Sequence, residues 1–408
     1  MTKYILKKRI FAVVFLITIF GFSVLNFCHG YEKLGEAFGE IIIDGKISQE
    51  DVSELEDTIT EEFYGRMNFV ETYAYIQVLL DKRECNNFAY IKDEAGFLHY
   101  ASFYREEDTQ VFEYAMRVKR LQDYAESKGA KVLFAVPPGK YDREITRFRS
   151  GLMVNDPNSL VDEIMVYLNR LGVETLDYRQ SMPNEELTYE ETFFKTDHHW
   201  TVPAAFFATQ ELVERIEEEF GEDLDPDDYY TDISNYEQVL YHNEMLGSMG
   251  RKTGANFSGM EDFVALWPKF EGEFYRESLR ETDDEWIKKE GSYEDVLLEN
   301  DVLTRNADIY ADSPYGLYMS TIRVFEKVVN KNKPDGCRVL MIRDSYFSPV
   351  IAFMAPMCGE IDAIWTLEES EEVDIESYVK ENEFDYIIIE IYPYNLNEEA
   401  FNFFKEED

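Results

Sequence analysis

Val339-Leu340-Met341-Ile342-Arg343-Asp344-Ser345-Tyr346 runs four apolar residues into a charged pair, a serine and an aromatic ring. A short apolar run closed by polar residues is the pattern of a strand buried on both faces of a parallel sheet. Ser348 to Met357 then reads as helix, so Ser345 stands on a strand-to-helix turn. Turns of this kind expose nucleophiles in α/β hydrolytic enzymes, and their amides can hold an oxyanion. Asp344-Ser345 equally suits a helix N-cap, and Asp344 can cap beside a nucleophilic Ser345.

The same pattern recurs on either side. Val132 to Val136 is apolar and closed by Pro137-Pro138-Gly139, and Val173 to Tyr178, Ile361 to Trp365 and Tyr386 to Ile391 read as further strands. Helices fall between them. One, capped by Thr109, carries Phe112, Ala115, Val118, Leu121 and Ala125 on one face; another runs from Ser159 to Leu171 with Leu160, Ile164, Tyr167, Leu168 and Leu171 inward; a third spans Ile375 to Glu381. Alternation of this type predicts an α/β sheet of about five mainly parallel strands with flanking helices. It lapses between about 223 and 335, which read as an irregular or β-containing insertion walling one side of a cleft. Aromatic flanks around Lys92-Asp93-Glu94-Ala95-Gly96 predict a hairpin over Phe88 to Tyr100. The expected layout is an N-terminal segment (1–30), a stalk or helical linker (31–87) and a compact domain (88–405).

Proton-transfer capacity concentrates in Phe193-Phe194-Lys195-Thr196-Asp197-His198-His199-Trp200-Thr201, which holds two of the five histidines. Histidine titrates nearest neutrality. Were Asp197 to His199 extended, Asp197 and His199 would share a face and His198 would oppose them. A carboxylate would then orient an imidazole for general-base work on a nucleophile from elsewhere, Ser345 being the best candidate. Thr201 suits an N-cap with Pro203 in the first turn, opening a helix that carries Phe206, Phe207, Leu212, Ile216 and Phe220 and stops at Gly221.

Substrate contacts are expected around this pair. Trp200 suits stacking on a sugar face, and His198 and Tyr346 flank the expected base and nucleophile. Ser248, in Gly247-Ser248-Met249-Gly250, lacks a strand before it, so it and Arg251 are read as hydrogen-bond donors to substrate. Lys140 follows its strand at the C-terminal edge, where ligands bind in open α/β sheets. A rival reading gives Asp197-His198-His199 a Zn or Mn ion. The tripeptide resembles that of Asp-His-His phosphoesterases, whose further aspartate motifs are missing here. The serine chemistry itself calls for no metal or nucleotide cofactor.

Composition narrows the partners. The 408 residues are 45% apolar and 15% aromatic, enough for a full core and against disorder. A net charge of −43 makes nucleic acid and anionic headgroups poor partners. Ile10 to Phe27 is an uncharged run of eighteen residues behind Lys3, Lys7, Lys8 and Arg9. That length spans a bilayer, and the basic flank favours a cytoplasmic N-terminus with the rest outside. A cleaved signal peptide is the rival, although no small-x-small cleavage pattern follows. The four cysteines show no C-x-x-C spacing. Cys337 and Cys358 each precede an expected strand, and parallel neighbours would put them within disulfide reach or leave two buried thiols.

Thr196-Asp197-His198-His199-Trp200, the later Arg343-Asp344-Ser345-Tyr346, the Val136-Pro137-Pro138-Gly139-Lys140 turn and the Tyr386 to Tyr394 segment together resemble the DHHW family, which is similar to the SGNH-type alginate O-acetyltransferases of bacterial envelopes. The resemblance implies an SGNH-hydrolase-like fold with circularly permuted motif order and a triad of Ser345, His199 and Asp197. Chain order is free to differ in this way, because one triad geometry recurs with different sequential orders. Arg343 stands where the family's Gly-Asp-Ser block has glycine, and no counterpart of the SGNH oxyanion glycine and asparagine is evident. The expectation is an extracytoplasmic O-acetyltransferase or acetylesterase acting on cell-surface glycan, with acyl groups delivered by another membrane protein. The alternatives are a non-catalytic, membrane-anchored glycan-binding or scaffolding protein and a metal-dependent phosphoesterase.

Overall fold

A computed structural model describes residues 2–44, 52, 55–56, 58–60, 62–101, 110–152, 156–279, 286–304, 309–310, 313–320, 323–366 and 373–406. The cap expected of Thr109 and half of the acidic stretch 49–62, in the expected stalk, lie outside them. The chain divides into two compact units, Met1–Leu79 and Leu80–Asp408. The second starts slightly ahead of the Phe88 suggested by the hairpin.

The first unit holds helix α1 (Thr2–Asp44) and helix α2 (Arg66–Leu79). Within α1, Tyr4–Gly35 is long and apolar enough to cross a membrane.

In the second unit a small antiparallel sheet comes first: β1 (Glu84–Cys85), β2 (Tyr90–Lys92) and β3 (Leu98–Tyr100). The β2–β3 turn uses Gly96 at φ +97°, a conformation glycine adopts without steric cost. Helix α3 (Val111–Ser127), strand β4 (Lys131–Val136), helix α4 (Asn158–Leu171) and strand β5 (Glu174–Asp177) follow. Helix α4 ends on Gly172 at φ +73°. Helix α5 (Val202–Phe220) begins with the Thr201 hydroxyl accepting the Ala204 amide at 3.3 Å and ends on Gly221.

Beyond α5 come β6 (Tyr236–Met245), α6 (Ser248–Thr253), β7 (Glu261–Pro268), β8 (Phe274–Leu279), β9 (Trp286–Gly291) and β10 (Phe325–Asn330). The chain closes with β11 (Arg338–Arg343), α7 (Ser348–Met354), β12 (Glu360–Trp365), α8 (Ile375–Glu381) and β13 (Tyr386–Glu390).

The main sheet has the order β5-β4-β13-β11-β12-β10-β8-β9. Its first five strands are parallel and are the five read from the sequence. The segment taken as an irregular or β-containing insertion extends the same sheet by three antiparallel strands, making it mixed and eight-stranded. Strand β9 alternates exposed and half-buried residues along its length, which is why its sequence looks polar. The remaining pair, β6 and β7, forms a separate ribbon.

Side-chain alternation makes two cores. Leu133 and Ala135 of β4, with Val339 and Met341 of β11, face α5 and α7, burying Phe206, Leu212, Ile216, Val350 and Phe353. Val132, Phe134, Leu340 and Ile342 face the other way, onto α3, α4 and α8. Each fully buried Leu, Ile or Phe contributes about 1.5–3 kcal/mol, so this three-layer packing fixes which strand ends meet. Phe112, expected inward on α3, is 51% exposed and packs edge-on against Tyr167, while Tyr114 takes the buried place.

β11 and β12 are parallel neighbours with Arg338 beside Glu360. Cys337 and Cys358 just ahead of them are buried free thiols in hydrogen-bond contact.

Candidate active site

Strand β11 delivers Asp344 and Ser345 to the C-terminal edge of the parallel sheet, where Ser345 opens a single 3₁₀ turn, Ser345–Phe347. Asp344 is the cap. Its carboxylate accepts the amides of Tyr346 at 3.0 Å and Tyr392 at 2.9 Å and the Asn395 side-chain amide at 2.8 Å. The Asp344 amide donates to Glu390 Oε2 at 3.0 Å. Burial, together with the nearby Asp344 charge, drives the Glu390 carboxyl well above the usual range, which favours its protonated form.

Beneath the turn lies a buried ionic chain. Arg343 Nη2 donates to Glu326 Oε2 at 2.5 Å, and Arg276 donates to Glu326 Oε1 at 2.6 Å. Arginine at the position where the resembled family carries glycine is thus held by a carboxylate from the antiparallel extension of the sheet.

The histidine stretch is a closed loop rather than a strand. Phe193 and Trp200 form an antiparallel bridge, and 195–199 bend between them. Glu261 accepts the amides of Lys195 and Thr196, each at 2.7 Å, and the Thr196 hydroxyl at 2.5 Å. The expected alternation therefore fails, and His198 lies on the same side as its neighbours: its ring centroid is 3.8 Å from that of His199, and its Nδ1 is 3.2 Å from Asp197 Oδ1.

Asp197, His199 and Ser345 make one hydrogen-bonded chain. Asp197 Oδ1 lies 2.6 Å from His199 Nδ1, and His199 Nε2 lies 2.6 Å from Ser345 Oγ. Asp197 Oδ2 accepts the Ser248 amide, also at 2.6 Å. With Nδ1–H donated to the carboxylate, Nε2 is left as the acceptor for the serine hydroxyl. Burial raises the Asp197 carboxyl, but His199 and His198 outweigh it and hold it well below its usual range. Burial and then the His198 charge depress His199 to about 4, against the opposing pull of Asp197. The imidazole is therefore neutral near pH 7, as a base requires. Tyr315 covers its other side, stacked at 3.9 Å and 16°, and the Tyr315 hydroxyl donates to the Ser345 and Tyr346 carbonyls at 3.2 Å each.

Asp197, His198 and His199 offer ligand atoms within 4.8 Å of one another. The same atoms of His199 already face Asp197 and Ser345, so an ion held there would break one of those bonds.

Beside Ser345 opens a cavity of about 820 Å³. His198, Ser248 and Arg251 line it, together with Tyr100, Tyr394 and Asn395. Three expected contacts are elsewhere. Trp200 is fully buried, packs against Tyr178 and Phe347, and donates its indole N–H to the Tyr346 carbonyl at 3.1 Å; a helix-start tryptophan has served the core. Lys140 is buried and donates to the Asp197 and Lys195 carbonyls at 2.6 and 3.2 Å, bracing the loop from behind. Tyr346 is buried as well, with its hydroxyl on the His198 carbonyl. Ser248 does follow a strand, β6, through Leu246-Gly247, and its hydroxyl meets His198 Nδ1 at 3.0 Å rather than His199.

Sequence reading missed Tyr315, Glu261, Glu390 and Asn395. Ser313-Pro314-Tyr315 carries only a turn signal, and nothing local in it points to an imidazole more than a hundred residues away.

A mixed sheet between helical layers, with a serine, an imidazole and a carboxylate meeting at its parallel edge, defines an SGNH-hydrolase-like α/β fold. Residues 94–255 match the family model described as the SGNH hydrolase-like domain of acetyltransferase AlgX. Among solved structures, PatB1 of Bacillus cereus is similar at 17% identity and a TM-score of 0.58, over 77% of this chain and 99% of that one. A second structure of PatB1, with a sulfonyl adduct, aligns at 16% identity and a TM-score of 0.56, over 77% and 97%. A DHHW family protein from Eubacterium siraeum aligns at 16% identity and a TM-score of 0.51, over 76% and 92%. No curated protein matches the sequence.

Proposed function

We propose that the protein is a serine-dependent O-acyltransferase or esterase, moving acetyl groups on cell-surface polysaccharide from outside the membrane. The observation that carries this reading is the pair of 2.6 Å contacts linking Asp197, His199 and Ser345 at the wall of the cavity. The match of 94–255 to an acetyltransferase domain supports the acyl class. The membrane-length helix at the N-terminus, with its basic flank, supports an anchored domain on the outer side.

In this mechanism Ser345 Oγ attacks the donor ester carbonyl as His199 Nε2 takes its proton, and Asp197 holds the Nδ1–H tautomer and stabilises the imidazolium. The tetrahedral oxyanion collapses as the ester C–O bond breaks, and His199 returns the proton to the leaving alkoxide. Acetyl-Ser345 remains. An acceptor hydroxyl then gives its proton to His199, attacks the acetyl carbon and leaves as the new ester, with the proton restored to Ser345. Water in place of the acceptor gives hydrolysis. The Ser345 amide and the Asn395 side-chain amide, which gives one hydrogen to Asp344 and has a second to offer, are assigned as oxyanion donors. His198, Ser248 and Arg251 are assigned to substrate, and the donor is delivered by a membrane partner.

The test is acetyl-ester turnover by the soluble unit and by its Ser345→Ala and His199→Ala variants, with labelling by a fluorophosphonate probe. Both variants should lose turnover, and Ser345→Ala should also lose the label. Equal background rates in all three would remove the enzymatic reading and leave an anchored glycan-binding protein. Stoichiometric zinc whose removal abolishes turnover would move the assignment to metal chemistry.

A further inference from the structure

A second apolar stretch closes the first unit and ends on the first residue of the second. The eighteen residues from Phe63 to Leu80 carry one arginine, Arg66, and one glutamate, Glu71, in a chain that is 30% charged, where about five charges would be expected. Nine of the eighteen are large apolar or aromatic side chains more than a third exposed, whereas all the described residues after Leu80 contain eight. On α2 the exposed Phe69, Tyr73 and Ile76, with Leu80 beyond its end, follow one another at spacings of four, three and four, which is a single helical stripe. Ala74 and Gln77, off that stripe, are buried. Water is a poor medium for such a face.

The segment also meets α1 at a definite height. Phe63 and Phe69 pack edge-on against Phe22 with centroids 5.3 and 6.0 Å apart, and the Tyr64 amide donates to Asn26 Oδ1 at 2.7 Å. His29 packs against Tyr64 at 5.7 Å. Phe22 lies five residues before the end of the uncharged run at Phe27, about 7 Å along a helix axis. That is the depth, roughly 5–10 Å, at which interfacial helices bury their apolar faces, and tyrosine is enriched there. With one charge of each sign the segment escapes the repulsion that the chain's net −43 would otherwise create at a lipid surface.

We propose that residues 63–80 lie in the lipid–water interface beside the membrane-spanning part of α1, with the stripe of Phe69, Tyr73, Ile76 and Leu80 set into the acyl–headgroup boundary. The proposal rests on reading α1 as a membrane anchor. The test uses the full chain in phosphatidylcholine vesicles, with the exposed Cys28 changed by Cys28→Ser and one spin label at a time placed through Phe69→Cys, Tyr73→Cys, Ile76→Cys, Ile17→Cys or Tyr229→Cys. Accessibility to oxygen is compared with accessibility to an aqueous nickel chelate. Labels at 69, 73 and 76 should favour oxygen several-fold over the label at 229 and less strongly than the label at 17. If 17 favours oxygen while 69, 73 and 76 match 229, the interfacial placement is overturned, the anchor stands, and the stripe is a protein-binding face. If 17 also matches 229, the anchor reading fails and the placement fails with it.

Discussion

Gly247 has no functional group, yet replacing it should disable the site. Its backbone, φ −71° and ψ 178°, is open to any residue, so Gly247→Ala meets only a problem of space. An added Cβ would meet Asp197 Cβ most closely of all and would lie 2.5 Å from Asp197 Oδ2 and 2.6 Å from Asp197 Cα, where ordinary contact begins near 3.4 Å. Asp197 must therefore move by about 1 Å. It has nowhere to go without loss, because its carboxylate is 2.6 Å from both His199 Nδ1 and the Ser248 amide and its carbonyl holds Lys140. A misplacement of about 1 Å costs on the order of 100-fold in rate. Overpacking should cost about 1–3 kcal/mol of stability, which leaves the fold intact. The assay is hydrolysis of p-nitrophenyl acetate at pH 7, alongside thermal melts. We expect kcat/KM to fall about 100-fold in a folded protein, and the Gly247→Ala/Asp197→Ala double variant to be no slower than Asp197→Ala alone. A folded Gly247→Ala enzyme at the wild-type rate, or full additivity in the double variant, would refute the steric argument.

Other outcomes follow from the same geometry. Because His199 is depressed to about 4, kcat/KM should hold as pH falls below 6 and drop only through about pH 4; an acid limb centred near 6.5 would contradict this. The same shift makes the unfolded chain bind more protons between about 6.5 and 4, so this residue's contribution to stability is complete above that window and is lost as pH falls through it, which urea melts across pH can follow. Glu390→Gln should keep near-normal turnover and stability, since its surroundings favour the protonated carboxyl, while Glu390→Ala strands the buried Asp344 amide at a cost of about 1–3 kcal/mol. Glu326→Ala leaves Arg276 and Arg343 charged and buried without their shared carboxylate, and denaturant midpoints should report a loss of about 3–5 kcal/mol.

What the sequence made legible was local. Runs such as Val132 to Val136 and Val339 to Ile342 are buried on both faces and say so in every residue, and Thr201 and Gly221 mark the ends of α5 by their own chemistry. Asp197, His199 and Ser345 stood out because imidazoles are scarce and the serine follows a buried strand. The strands β8, β9 and β10 did not stand out. They are half-buried or edge strands whose pairing, Phe325 opposite both Leu279 and Ile364, is long-range. Trp200, Lys140 and Tyr346 were misplaced for a related reason: neither proximity in sequence to a reactive residue, as for Trp200 and Tyr346, nor a place at the C-terminal edge of a strand, as for Lys140, says which way a side chain turns, and all three are buried.

The ring stack of His198, His199 and Tyr315 carries one more consequence for the proposed reaction. A base clamped on both sides cannot swing between two subsites, so donor and acceptor must take turns at the same Nε2. Steady-state kinetics should then be ping-pong, with parallel double-reciprocal lines and each substrate competing against the other when in excess.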